Sequence, residues 1–189
     1  MPSFRSHLTH ALLISSLVLP AIAQADANHE NAKSNAAAEA AYVEAMQKNA
    51  TEADKKAFCS EMKSVAKELA GQLPIQIDPA THLISSSAVY LGGKCTYMLG
   101  YSLDEAKLFA LLQEAISKQK GEEVPMAFVE QYYSTGEPGY QNLKEQMRQN
   151  LQNSPHFQRA LELPFMEFDA QYVVNGTHMD DINFVISGK

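Results

Sequence analysis

Residues 82–103 read His82-Leu-Ile-Ser-Ser-Ser-Ala-Val-Tyr-Leu91, Gly92-Gly93 and Lys94-Cys-Thr-Tyr-Met-Leu-Gly-Tyr-Ser-Leu103, and this stretch decides the fold. Two glycines between two runs of mainly apolar residues predict a tight β-hairpin, because glycine adopts the positive φ of a two-residue turn. That turn pairs Tyr90 with Cys95 and Ile84 with Tyr101. One face of the predicted hairpin then carries most of the apolar side chains: Ile84, Ala88, Tyr90, Cys95, Tyr97, Leu99, Tyr101 and Leu103.

The segment before the hairpin predicts an amphipathic helix over residues 52–70. Its apolar residues recur at helical spacing: Phe58, Met62, Val65 and Leu69. Cys59 lies on the inner flank of this helix, and Cys95 lies on the apolar face of the hairpin. We therefore predict a Cys59–Cys95 disulfide that staples the helix to the hairpin. The alternative is a free catalytic thiol, which needs a neighbouring histidine or a helix N-terminus to lower its pKa.

The middle of the chain predicts helices. Ser102 and Glu105 have the spacing of a capping box, in which Glu105 binds back to the start of a helix over about residues 104–119. Leucines at helical spacing support this helix. Three further helical segments are predicted, at residues 125–133, 140–152 and 154–161.

Alternating apolar residues near the C-terminus predict a second hairpin, with strands at 166–174 and 182–186. A three-residue turn, Val174-Asn175-Gly176, pairs Phe168 with Ile182 and places Gly176 in the left-handed position of a bulged turn. Strands at both ends of the chain with helices between them predict an α+β fold. We expect an antiparallel sheet of four to five strands, built from two hairpins and packed on one face by helices.

The N-terminal residues 1–25 have the features of a secretory signal peptide. Arg5 precedes a short apolar run, and small residues follow Pro20. We predict cleavage after Ala23 or Ala25 and hence a periplasmic or secreted protein, the alternative being a buried core helix or a retained anchor. Residues 26–51 are expected to form a flexible tail and a weak helix, and residues 52–189 a single α+β domain.

Composition and motifs exclude several kinds of partner. The formal net charge of −7 argues against nucleic acid, which needs a basic protein face. Apart from the signal peptide, no segment has the length or hydrophobicity expected of a membrane span. The sequence contains no cofactor-binding motif, so no cofactor is predicted. The oligomeric state stays open.

Two clusters are candidate functional residues. Tyr132, Tyr133 and Tyr140 bracket a glycine-containing loop and form a candidate binding patch, the alternative being that they cap the core. His178 and Asp180 are a weak candidate pair of metal ligands, because alternate residues of a strand share a face. The alternative is a solvated end of the last hairpin.

No Ser/His/Asp set has a spacing that the predicted fold explains, so the sequence favours a protein without catalytic activity. We expect a periplasmic protein that binds another protein or an envelope component. One alternative is a small envelope-directed hydrolase that uses carboxylates or His178 as acid and base. The other is an effector or immunity protein of a secretion system.

The order of elements resembles the quorum-sensing-regulated virulence factor family of small exported bacterial proteins. The matching pieces are Leu73-Pro74, Ile77-Asp78, Thr81, Tyr97 and Tyr172…Gly176. The resemblance covers about residues 58–187 at the level of topology, and the late cysteines of the family are absent here. It implies a compact exported domain and carries over no catalytic residue.

Overall fold

The computed structural model describes residues 43–189, without the side chains of residues 155 and 156. Residues 1–25, the predicted signal peptide, lie outside the described residues, as does most of the predicted tail. Both stay predictions. Residues 43–49 are helical, and Met46 from this segment is buried in the core.

The predicted α+β class is confirmed: a five-stranded sheet has helices packed against it. The helices and strands follow one another as α1 (Glu52–Ala70), β1 (Ile75–Gln76), β2 (Thr81–Leu91), β3 (Lys94–Asp104), α2 (Glu105–Lys120), α3 (Met126–Tyr133), α4 (Pro138–Gln152), α5 (Pro155–Gln158), a 3₁₀ turn (Ala160–Glu162), β4 (Met166–Asn175) and β5 (Ile182–Ser187). Among residues 43–189, no helix has both the length and the hydrophobicity of a membrane span.

The sheet is mixed, whereas the sequence predicted antiparallel pairing throughout. Its strand order is β1-β2-β3-β4-β5, and all neighbours are antiparallel except β3 and β4. After β3 the chain passes through helices α2 to α5 and returns to the beginning of β3, where Met166 lies beside Cys95. A strand that returns to the starting end of its neighbour must run parallel to it.

The β2–β3 hairpin has the predicted register from its turn to Ser85, which pairs with Gly100. Beyond that point the prediction is wrong, because a β-bulge at Ile84 shifts the pairing and Leu83 takes the place opposite Tyr101. One extra residue reverses the alternation of side chains. Leu83 is therefore 6% exposed in the core, and Ile84 is 44% exposed on the opposite face.

The disulfide between Cys59 and Cys95 is confirmed. It joins α1 to β3 across a Cα–Cα distance of 5.5 Å, and both cysteines are fully buried. The face of the sheet that carries Cys95 packs against the helices. Valines of the other face are exposed on β2, β4 and β5: Val89, Val173 and Val185.

The β4–β5 connection differs from the predicted three-residue turn. Phe168 pairs with Ile186 instead of Ile182, and Ile182 pairs with Tyr172, so residues 176–181 form a longer loop. Apolar residues still face apolar residues, because the register moves by an even number of positions. Gly176 does not have the predicted left-handed conformation. Backbone contacts with Glu105 of α2 explain the longer loop.

Candidate functional site

Two loops meet beside the N-terminus of α2. They are the α3–α4 loop, residues 134–137, and the β4–β5 loop, residues 176–181; with Glu105 they form what we call the loop junction. The Thr135 N–H donates to the His178 carbonyl at 2.8 Å, and the Asp180 N–H donates to Thr135 Oγ1 at 2.6 Å. The structure thus brings together two regions that the sequence marked separately.

Glu105 is the centre of the loop junction. Its carboxylate accepts the backbone N–H groups of three successive residues, Thr177, His178 and Met179, at 3.0, 2.9 and 2.7 Å. The prediction that Glu105 closes a capping box with Ser102 is therefore wrong. Asp104 caps α2 instead, because its carboxylate accepts the Lys107 N–H at 3.1 Å.

The hydrogen bonds determine the charge state of Glu105. The side chain is 6% exposed, and desolvation by burial, the largest single effect, would raise its pKa. Hydrogen bonds from the His178 side chain and from the three backbone N–H groups oppose this effect, and together they hold the pKa of Glu105 below its ordinary value. Glu105 is therefore a buried carboxylate that carries its charge at neutral pH.

Only glycine fits at position 176, because the loop junction has no room there for a side chain. A Cβ at this position would overlap the side chain of Glu105. Glycine therefore lets the loop backbone approach the carboxylate closely, which is a different role from the one predicted. The Asp181 carboxylate also holds the loop, because it accepts the Val174 N–H at 2.8 Å.

His178 is oriented by Glu105. Its Nδ1 lies 3.0 Å from Glu105 Oε2, and its ring centre lies 5.8 Å from that of Phe109. The imidazole is 41% exposed, so Nε2 is the ring nitrogen left for a ligand or a proton. A carboxylate that orients an imidazole in this way is typical of sites where histidine acts as a general acid or base.

The metal site suggested for His178 and Asp180 gains no further ligand. Among residues 43–189, no group of three or more histidine, cysteine, aspartate or glutamate side chains is placed to hold a metal ion. Asp180 bonds through its backbone: its N–H donates to Thr135 Oγ1 at 2.6 Å, and its carbonyl accepts from the Tyr140 hydroxyl at 3.4 Å. Nδ1 of His178 is already occupied by Glu105.

The three predicted patch tyrosines occupy different environments. Tyr133 and Tyr140 are buried, at 6% and 5% exposure, as in the alternative that they cap the core. Burial, and then the nearby carboxylates of Asp180 and Asp181, raises the pKa of Tyr140, so it acts as a hydroxyl donor. Tyr132 alone is partly exposed, and its role in binding stays a proposal.

Tyr132 has an exposed neighbour that the sequence prediction missed. The Phe128 ring stacks on it at a centroid distance of 5.8 Å and an angle of 6°, and Lys120 Nζ lies 5.1 Å from the centre of the Phe128 ring. Phe128 is 43% exposed. We call Phe128, Tyr132 and Lys120 the aromatic step. The signal for it was the four-residue spacing of Phe128 and Tyr132, which places both rings on one helix face.

Comparison with known proteins gives one structural likeness. No protein-family model matches this chain, and no curated protein matches it. A crystal structure described as a "putative secreted protein" from Pseudomonas aeruginosa is similar over 69% of this chain and 90% of its own, with 9% identity and a TM-score of 0.37. A likeness at this level supports no argument about family or function, and the family resemblance noted above stays a prediction.

Proposed function

We propose that this chain is an exported, non-enzymatic binding protein that holds another protein through the aromatic step. The observation that carries the proposal is the parallel stack of the exposed Phe128 on the partly exposed Tyr132, with Lys120 over the Phe128 ring. Aromatic side chains dominate the energetics of protein interfaces, because they bury a large area at a small cost in conformational entropy. A rigid stack on a helix has already lost most of that entropy before binding.

Two further features support export and a binding role. A disulfide between fully buried cysteines is typical of proteins that fold in an oxidising compartment, such as the periplasm or the outside of the cell. The loop junction fixes the α3–α4 loop that follows the aromatic step, since both the N–H and the hydroxyl oxygen of Thr135 bond to the β4–β5 loop. A binding surface on a rigid support loses little freedom when a partner docks.

A photo-crosslinking experiment tests the proposal. The photoreactive residue p-benzoylphenylalanine replaces Phe128 in the exported protein, and cells are irradiated. We expect one discrete adduct with a second protein, and we expect Tyr132→Ala to abolish it. The same photoreactive residue at Leu111, which is 38% exposed on α2, is the matched control and should give no such adduct. An adduct equally strong from both positions, or none from position 128, would overturn the proposal.

One observation favours a second candidate, a small hydrolase. The Glu105–His178 pair, at 3.0 Å, has the arrangement in which a carboxylate orients an imidazole as general base. In such an enzyme Nε2 of His178 would receive a proton from an attacking water. If hydrolysis of an envelope substrate is found, His178→Ala should remove it while Asp169→Ala, a change on β4 outside the loop junction, leaves it intact. Activity unchanged in His178→Ala would exclude this site.

A further inference from the structure

The outer side of β5, the last strand of the sheet, has no strand paired with it in the described part of the chain. Its sequence, Ile182-Asn-Phe-Val-Ile-Ser187, contains no charged residue, proline or glycine. Natural proteins normally protect an edge strand with charges, proline, a bulge or a covering element, because unpaired backbone groups are a template for another strand. β5 carries none of the first three.

The hydrogen-bond pattern shows which groups of β5 face outward. The Gly188 N–H donates to the Met166 carbonyl at 2.8 Å, in register with the β4–β5 ladder. Hydrogen-bonded pairs alternate along an antiparallel ladder. The even-numbered residues of β5 therefore bind β4, and the backbone groups of Asn183, Val185 and Ser187 point away from the sheet.

A second copy of β5 satisfies these outward groups. If two copies run antiparallel with Val185 on the two-fold axis, Val185 pairs with Val185, and Asn183 of each copy pairs with Ser187 of the other. Every outward N–H and C=O of these three residues then has a partner. Phe184 comes to lie opposite Ile186, so the apolar face continues across the junction, and no residue is placed on the wrong face.

The charges around β5 also fit self-pairing. The chain carries a net charge of −7, so two copies repel each other over most of their surfaces. β5 itself is uncharged, the exposed Asp180 and Asp181 precede it, and the exposed Lys189 follows it. Antiparallel pairing brings the two aspartates of each copy to the lysine of the other.

The paired segment has a defined end. The Leu161 carbonyl already accepts the Lys189 N–H at 2.9 Å, so this backbone group is closed to a second strand. The new ladder therefore stops at Ser187, and Lys189 contributes only its side chain. We propose that β5 pairs antiparallel with β5 of a second copy, which makes a two-fold dimer with one sheet continuing through both copies.

Sedimentation of the purified protein over a concentration series tests this proposal. We expect wild type to reach twice the monomer mass. Val185→Lys places two ammonium groups opposite each other on the axis, so we expect the dimer dissociation constant to rise at least about tenfold. The matched control is Val173→Lys, which adds the same charge at a residue that is 48% exposed on the same face but lies on the paired strand β4.

Several results would overturn the proposal. One is a wild-type protein that stays monomeric at all concentrations. Others are a dimer that survives Val185→Lys and a dimer that is lost equally in Val173→Lys. Growth beyond a dimer would also contradict the proposal, since a two-fold interface closes on itself. Each variant is first checked for cooperative unfolding. If Val185→Lys does not fold, Val185→Pro replaces it, because proline at this position removes an outward N–H that makes no bond to β4.

Discussion

Glu105 and His178 are 73 positions apart in the chain, yet Nδ1 of His178 lies 3.0 Å from the Glu105 carboxylate. The same carboxylate accepts the backbone N–H groups of residues 177–179. This contact ties the beginning of α2 to the loop between the last two strands. It explains why that loop is longer than a tight turn, because a three-residue connection would have no backbone left to reach Glu105.

Glu105→Gln should destabilise the fold by about 2–4 kcal/mol, because a neutral amide replaces a charged acceptor and its NH₂ group faces backbone donors. The measurement is the free energy of unfolding from urea titration. Glu114→Gln is the control, since Glu114 is an exposed residue of the same helix that pairs with Lys118. Its loss should be small beside that of Glu105→Gln, because an exposed ion pair contributes little to stability. Equal losses in both variants would contradict the role of Glu105.

The stability should also depend on pH through Glu105. Its pKa in the folded protein is lower than its ordinary value of 4.5, so the unfolded chain binds a proton more readily. The stability contributed by Glu105 is therefore fully present above about pH 5 and is lost as the pH falls through the folded pKa. We expect the stability difference between wild type and Glu105→Gln to shrink as the pH falls from about 5 through the folded pKa. A difference that stays constant over this range would show that the charge is irrelevant.

Gly176→Ala should cost about 2 kcal/mol, because the added methyl group collides with Glu105. The collision predicts coupling between the two positions. In the double variant Gly176→Ala/Glu105→Ala the methyl group has room, so its additional cost should fall below about 1 kcal/mol. Urea unfolding of the four proteins in this cycle measures the coupling. Additive losses would mean that Gly176 matters for its backbone conformation instead.

The β-bulge predicts unequal effects at neighbouring positions of β2. Leu83→Ala should cost about 2–4 kcal/mol, because Leu83 is buried, whereas Ile84→Ala should cost less than about 1 kcal/mol. Regular alternation from the Gly92-Gly93 turn would give the opposite order. Urea unfolding of the two single variants decides between the two orders. A larger loss of stability in Ile84→Ala would contradict the bulge.

Removal of the disulfide should lower stability by about 3–4 kcal/mol, the loop-closure estimate for cysteines separated by 36 positions. The double variant Cys59→Ala/Cys95→Ala leaves no unpaired thiol, and its free energy of unfolding is compared with that of wild type. Reductant should weaken the wild type and leave the double variant unchanged. A reductant effect on the double variant would point to a cause other than this bond.

Much of the fold was predictable from local patterns. Helical spacing of apolar residues predicted α1, and the Gly92-Gly93 turn predicted the pairing from Leu91 to Ser85. The disulfide followed because both patterns placed a cysteine on the side that faces the other element. The parallel pairing of β3 with β4 was missed, because it depends on where the helices return the chain and not on the alternation within either strand.

The candidate site was predictable only in part. The sequence marked Tyr140 and His178 for separate reasons, and the structure places both at the loop junction. For Glu105 the sequence predicted only a local capping role, since a glutamate three residues after a serine is the usual capping pattern. Phe128 was not singled out, because a phenylalanine in an apolar stretch is more often a core residue.

The amino-acid sequence by itself determined the helices, the first hairpin and the disulfide, because each depends on side-chain periodicity or on turn residues close together in the chain. Only the tertiary structure decided the bulge at Ile84, the register of β5 and the partners of Glu105. These depend on which of several donors, acceptors and apolar surfaces are nearest once distant segments pack. A buried carboxylate binds the backbone donors that folding brings within reach, and those donors lie more than 70 positions away from Glu105.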